Sequence, residues 1–162
     1  MKKLQNLKYK AFIFDRDGVL NYKPTPPSRY ILKPDELILN KSVLEKIRIL
    51  QSYEKLIGVA TNQQCVGKEL IDMEELNSIN EVIIRYLEGK GGIRIPFFIC
   101  THLVEDDCLC RKPKPGLLEA NLEFLKVNRS KAVFIGDSAT DREAAENFKI
   151  DFIDVSEFTD YC

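Results

Sequence analysis

The sequence predicts an α/β fold, with a mainly parallel sheet and helices packed on both of its faces. Short apolar runs alternate along the chain with segments whose apolar residues recur at helical spacing. Strands separated by helices pair in parallel, because a parallel return needs a crossover connection. The polar residues best suited to chemistry fall at the carboxyl ends of the predicted strands, the rim where such sheets form their sites.

Tyr9 to Phe14 is the first strand, and the segment from Gly18 to Asn40 is a loop rich in proline (Pro24, Pro26, Pro27, Pro34). Asn40 is placed to cap a helix whose buried face carries Val43, Leu44, Ile47 and Leu50. Leu56 to Ala60 is the second strand and ends at Thr61-Asn62. Met73, Leu76, Ile79, Ile83 and Leu87 mark a second helix closed by Gly89, and Pro96 to Cys100 is a third strand. A helix begins near Pro115, with Leu117, Leu118, Asn121, Leu122 and Leu125 at helical spacing. Ala132 to Ile135 is a fourth strand ending at Gly136-Asp137, Thr140 to Phe148 a short helix, and Phe152 to Val155 a last strand.

The 162 residues suit one domain spanning 1–162, with 44% apolar content and no stretch free to form a separate lid. A net charge of −1, from 24 basic and 25 acidic residues, leaves no electrostatic footprint for nucleic acid or an anionic membrane. No apolar run approaches a membrane span, and the charged start lacks the apolar region of a secretory signal. A cytoplasmic protein is expected. No apolar helix face or heptad is left over, which points to a monomer.

Asp15 and Asp17 stand one residue apart at the end of the first strand, just before the Gly18 turn. Two carboxylates so placed repel one another unless a cation or a reaction uses them. An Asp-x-Asp-Gly run can also be a plain turn, and the oxygen spacing of a calcium loop is incomplete here. With Asp137 from another strand and the backbone carbonyl of Asp17, Asp15 could hold Mg²⁺, which takes oxygen ligands. Asp15 could then attack phosphorus, while Asp17 protonates the leaving oxygen and later activates water. Thr61 and Asn62 can donate to phosphate oxygens. Lys112 can neutralise the charge spread over those oxygens, and Arg111 offers a planar fork for phosphate or sugar hydroxyls.

The chain has 5 cysteines, and Cys100, Cys108 and Cys110 crowd together with the only histidine, His102, in the pattern C-x-H-x5-C-x-C. Three thiolates and one imidazole make a closed tetrahedral zinc set. Zinc here would order a loop beside the carboxylates and hold Arg111 and Lys112 at the rim. Cys65 and Cys162 are left unassigned, with Cys65, just past Asn62, read as an ordinary free thiol.

Taken together, the motifs resemble the haloacid dehalogenase-like phosphatases. Asp15-Arg16-Asp17-Gly18 is similar to their first motif, Thr61 to the second, Lys112 to the third, and Gly136-Asp137 with Asp141 to the fourth. The zinc loop followed by Cys110-Arg111-Lys112-Pro113 resembles the subgroup holding the heptose 1,7-bisphosphate 7-phosphatases and the histidinol-phosphate phosphatases. The resemblance implies a Rossmann-like three-layer sandwich without a separate cap domain. It also implies an aspartyl-phosphate intermediate, Mg²⁺ at the active site and a structural zinc. Asn21, Arg111 and Tyr30-Ile31 are similar to the heptose enzymes, which makes Asn21 a further substrate-binding candidate. Gly136-Asp137-Ser138-Ala139-Thr140-Asp141 resembles the histidinol-phosphate group more, since the heptose enzymes commonly carry lysine where Ser138 stands. Gln63-Gln64-Cys65-Val66-Gly67-Lys68 departs from the small-residue turn usual after Thr-Asn-Gln. A phosphorylated sugar is the expected substrate, with histidinol phosphate as the alternative. A zinc-stabilised binding module without catalysis is the alternative from another class.

Overall fold

A computed structural model describes residues 8–160. The charged start and Cys162 lie outside them. The elements are β1 (Ala11–Phe14), α1 (Lys41–Ser52), β2 (Leu56–Asn62), α2 (Gln64–Gly67), α3 (Met73–Gly89), β3 (Phe97–Cys100), α4 (Gly116–Leu125), β4 (Ala132–Gly136), α5 (Ala139–Phe148), β5 (Asp151–Asp154) and α6 (Val155–Thr159). The strands form one five-stranded sheet in the order β3-β2-β1-β4-β5, every pair parallel. This is the Rossmann-like architecture expected.

Strand β1 lies at the centre, and its alternation feeds two cores. Phe12 and Phe14 point into one with Val43, Leu44 and Ile47 of α1, Leu76, Ile79 and Ile83 of α3, and Phe158 of α6. Ala11 and Ile13 point into the other with Leu117, Leu118 and Leu122 of α4 and Ala144, Ala145 and Phe148 of α5. Each large apolar side chain buried this way contributes about 2 kcal/mol. Among the described residues no helix is long and apolar enough to cross a membrane.

Most of the expected elements appear near their expected bounds. Asn40 caps α1 by accepting from the Val43 N–H, and Asp72 with Glu75 forms a capping box at the start of α3. Strand β2 runs two residues past Ala60 because Thr61 and Asn62 pair with Ile99 and Cys100 of β3. The last strand ends at Asp154 rather than Val155. The Asp154 side chain accepts from the Ser156 N–H and starts α6, which the sequence reading missed. Helix α2 was also unforeseen, its four residues being too few to show a period.

Candidate active site

The site forms where β1, β2 and β4 end side by side. The Asp15 N–H donates to the Ile135 carbonyl at 2.9 Å, the last tie of the chain to the sheet before it turns. The turn closes as the Arg16 carbonyl accepts from the N–H groups of Val19, Leu20 and Asn21. Gly18 sits in it at φ +91°, and a Cβ there would lie 2.1 Å from Asp137 Oδ2. Only glycine meets both demands. On β4, Asp137 follows Gly136, and Ser138 caps α5 by accepting from the Asp141 N–H at 3.2 Å.

The floor is one ionic cluster. Lys112 Nζ donates to Asp15 Oδ1 at 2.8 Å and to Asp141 Oδ1 at 2.6 Å. Lys112 is only 4% exposed. Burial alone would favour its neutral form, but Asp15 and Asp141 outweigh that and hold its pKa above the usual lysine value. Burial lifts Asp15 to about 6 against the pull of Lys112, with Asp141 and Asp17 adding to the rise. Asp15 Oδ1 also accepts from the Arg16 N–H at 2.8 Å, so its other oxygen carries none of these bonds. Asp141 Oδ2 accepts from Ser138 Oγ at 2.7 Å.

Asp15, Asp137 and Asp141 each offer a carboxylate oxygen, all within 4.8 Å of one another. Asp137 Oδ1 is buried with no hydrogen-bond partner, and Asp137 Oδ2 pairs with Lys23 Nζ at 2.5 Å. A buried oxygen without a donor among several carboxylates suits a hard cation. The side-chain trio includes Asp141, which the sequence reading assigned only to a motif. It lies one helical turn past Asp137, and that spacing was the available signal. The Asp17 carboxylate is not in the trio, so a metal role for Asp17 rests on its backbone carbonyl.

Asp17 is held from three sides. Arg16 donates to it through Nε and Nη2 at 3.0–3.1 Å, Asn21 Nδ2 at 2.9 Å and Gln63 Nε2 at 2.7 Å. Burial pushes the Asp17 carboxyl up, but Arg16, followed by Asn21 and Gln63, brings it below the usual carboxylate range. Arg16 is wholly buried, and its Nη1 donates to Asn80 Oδ1 of α3 at 3.0 Å. Arg16, Gln63 and Asn80 were all missed by sequence reasoning. An asparagine in the apolar stripe of α3 was the one visible hint. Asn21, expected to meet substrate, is 0% exposed and faces Asp17 and the Tyr22 carbonyl instead, because the turn tucks it beneath the rim.

Above the floor opens a cavity of about 510 Å³ whose lining includes Asp15, Asp17, Thr61, Asn62, Arg111 and Lys112. That volume falls in the range of small-molecule sites. Asn62 exchanges two bonds with the Lys112 backbone, donating to its carbonyl and accepting from its N–H, both at 3.1 Å. Thr61 Oγ1 accepts from Gln63 Nε2 at 2.9 Å. Thr61 and Asn62 line the cavity, and Asn62 also fixes the segment that carries Lys112.

One wall is the cysteine loop. Cys100, His102, Cys108 and Cys110 bring their ligand atoms within 4.8 Å of one another. Sulfur pairs lie 3.5 and 3.6 Å apart, and His102 Nδ1 lies 3.3 Å from Cys110 Sγ and 3.6 Å from Cys100 Sγ. Four ligands at zinc bond lengths sit about 3.6–3.8 Å apart at the corners of a tetrahedron, so the set can hold zinc. Burial and the neighbouring thiols push Cys100 up to about 12, so it needs a cation to ionise.

The family model described as polynucleotide kinase 3 phosphatase matches residues 10–159. The chain belongs to that family, among the haloacid dehalogenase-like phosphatases. The phosphatase is 34% identical over 136 residues to the D-glycero-beta-D-manno-heptose-1,7-bisphosphate 7-phosphatase of Bordetella bronchiseptica, covering 84% of this chain and 74% of that one. It is 31% identical over 147 residues to the histidine biosynthesis bifunctional protein HisB of Legionella pneumophila, covering 91% of this chain but 41% of that protein. The crystal structure of D,D-heptose 1.7-bisphosphate phosphatase from B. bronchiseptica, complexed with magnesium and phosphate, superposes with a TM-score of 0.80 at 28% identity. That match covers 93% of this chain and 96% of the other.

Proposed function

We propose that this phosphatase hydrolyses a phosphorylated sugar, D-glycero-D-manno-heptose 1,7-bisphosphate, at its 7-phosphate. The interlocked Asp15, Lys112 and Asp141 at the floor of the cavity carry the catalytic reading. The match to the heptose enzyme over most of both chains supports the substrate.

Asp15, Asp137 and the Asp17 carbonyl, with Asp141 beside them, are the groups that would hold magnesium. Bound there, the ion supplies positive charge that lets a carboxylate approach a phosphate dianion. The free oxygen of Asp15 attacks phosphorus, an O–P bond forms and the bond to the sugar oxygen breaks. Asp17, ionised at rest, takes up a proton as the dianionic substrate binds and gives it to that oxygen. Water then attacks the aspartyl phosphate, Asp17 takes the water proton, and inorganic phosphate leaves with Asp15 restored. Lys112 offsets the charge on the phosphoryl oxygens throughout, aided by Thr61 and Asn62. Arg111 faces the rest of the substrate. Zinc held by Cys100, His102, Cys108 and Cys110 would order the loop that carries it.

The alternative substrate is histidinol phosphate, supported by the match to HisB over 91% of this chain and by Ser138 where the heptose enzymes commonly have lysine. Phosphate release from the two compounds, measured side by side, decides between them. A preference for histidinol phosphate of tenfold or more in kcat/KM would reverse the assignment. We also infer a monomer folded as one domain over residues 1–162 and working in the cytoplasm, where a cysteine set of this kind stays reduced for metal. Sedimentation and cell fractionation test this. The net charge of −1 favours a small substrate over a polynucleotide.

A further inference from the structure

Helix α2 stands between the proline-rich loop and the cysteine loop, and contacts along its length tie it to both. At its start the Gln63 N–H donates to the Cys100 carbonyl at 2.7 Å. Gln64 comes next. Its Nε2 donates to the Tyr30 hydroxyl at 2.9 Å, and its Oε1 accepts from Arg111 Nη2 at 3.4 Å. At the end of the helix, a Cβ on Gly67 would lie 2.4 Å from the Thr101 carbonyl oxygen, so helix and loop touch backbone to backbone. Lys68 then holds its ammonium 5.6 Å from the centre of the Tyr30 ring.

Arg111 is therefore gripped from two directions, since its Nη1 also donates to the His102 carbonyl at 3.2 Å. A long side chain held before its ligand arrives loses less rotamer freedom on binding. Arg111 lines the cavity and Gln64 does not, so Gln64 acts through Arg111. The residue type matters. A carboxamide offers a donor and an acceptor in one plane, which lets it give to Tyr30 and receive from Arg111 while leaving the guanidinium charge uncancelled.

We propose that Gln64 is a specificity-determining positioning residue. It sets the Arg111 guanidinium toward the anionic or hydroxyl-rich part of the substrate beyond the reacting phosphoryl group, and through Tyr30 it couples that setting to the proline-rich loop. The inference rests on the phosphomonoesterase reading above and deepens it.

Gln64→Ala and Tyr30→Phe are compared with wild type, as metal-loaded enzymes, on heptose 1,7-bisphosphate, histidinol phosphate and p-nitrophenyl phosphate. The last carries a phosphoryl group but no second anionic group or hydroxyl for Arg111 to hold. In Gln64→Ala, KM for heptose 1,7-bisphosphate rises about tenfold, while kcat stays within about twofold and p-nitrophenyl phosphate turnover keeps its wild-type kcat/KM. Tyr30→Phe moves KM the same way by less. Phenylglyoxal labelling, read at Arg111 by peptide mass, runs severalfold faster in Gln64→Ala with no substrate present. An unchanged KM, an equal rise on all three compounds, or unchanged Arg111 labelling overturns the inference. Wild-type enzyme that turns over p-nitrophenyl phosphate alone defeats the substrate reading instead, and the labelling still decides the Gln64–Arg111 contact.

Discussion

The floor of the cavity is built from interlocked charges, Asp15 at the end of β1, Asp141 in α5 and Lys112 fixed through its backbone by Asn62 of β2, whereas its wall is built from loop residues held by other loops and by α2. Lys112 and Asp141 in the floor are 4% and 1% exposed, and Lys112 is satisfied within the cluster it belongs to. In the wall, Arg111 is half-buried, and Val104 and Leu109 of the cysteine loop are 64% and 81% exposed. Charges locked against one another beside the rim of a packed sheet need no reorganisation when a phosphoryl group arrives, as transition-state stabilisation requires. A wall made of loops can vary with the substrate while the floor stays the same. On the proposed reading, chemistry belongs to the first region and choice of substrate to the second.

The largest effects should come from breaking the floor. Asp15→Asn removes the attacking oxygen and should cut phosphate release by on the order of 10⁴-fold on any substrate. Equal release by mutant and wild type would put the nucleophile elsewhere. Lys112→Met leaves Asp15 and Asp141 as neighbouring carboxylates without their counter-charge. It should lower kcat by about 10²–10³-fold and stability by about 3–5 kcal/mol in urea unfolding.

Breaking the wall should separate the two roles. Cys108→Ser should lower zinc from about one per chain by elemental analysis and raise KM for the metabolite more than that for p-nitrophenyl phosphate. If both substrates lose activity alike, the loop belongs with the floor.

The smallest effect sharpens the boundary at Asp17. Its folded pKa lies below the ordinary carboxylate value, so the ionised form is favoured by folding. That stability is present above the unfolded value of about 3.9 and is lost as pH falls through the lower folded value. Gln63→Leu should therefore cost about 1–2 kcal/mol at pH 7 and less at pH 3, read from urea midpoints. A cost that does not change with pH would mean that Gln63 matters only for packing.

The floor was more legible in the sequence than the wall. Asp15, Thr61 and Asp137 each follow an apolar run, so the strand pattern alone brings them to one rim. The cysteine spacing announces its own cluster. What stayed hidden depends on partners far apart in the chain. Arg16 between two aspartates reads as a surface charge until α3 brings Asn80 against it, 64 residues away. Asn21 reads as a substrate contact because a short turn does not disclose which way it folds its side chains. Helix α2 has too few residues to show a period, so Gln64 gains its meaning only from Tyr30 and Arg111, which sit in separate loops.

The sheet order carries a consequence for how the enzyme is made. Strand β4 lies directly beside β1, although the first starts at Ala132 and the second at Ala11. A growing chain that has reached only Lys131 already holds Asp15, Lys112 and all four of Cys100, His102, Cys108 and Cys110, but lacks Asp137 and Asp141. Pairings this distant along the chain form late. Activity should thus wait until the last fifth of these 162 residues has emerged and β4 has slotted in next to the first strand.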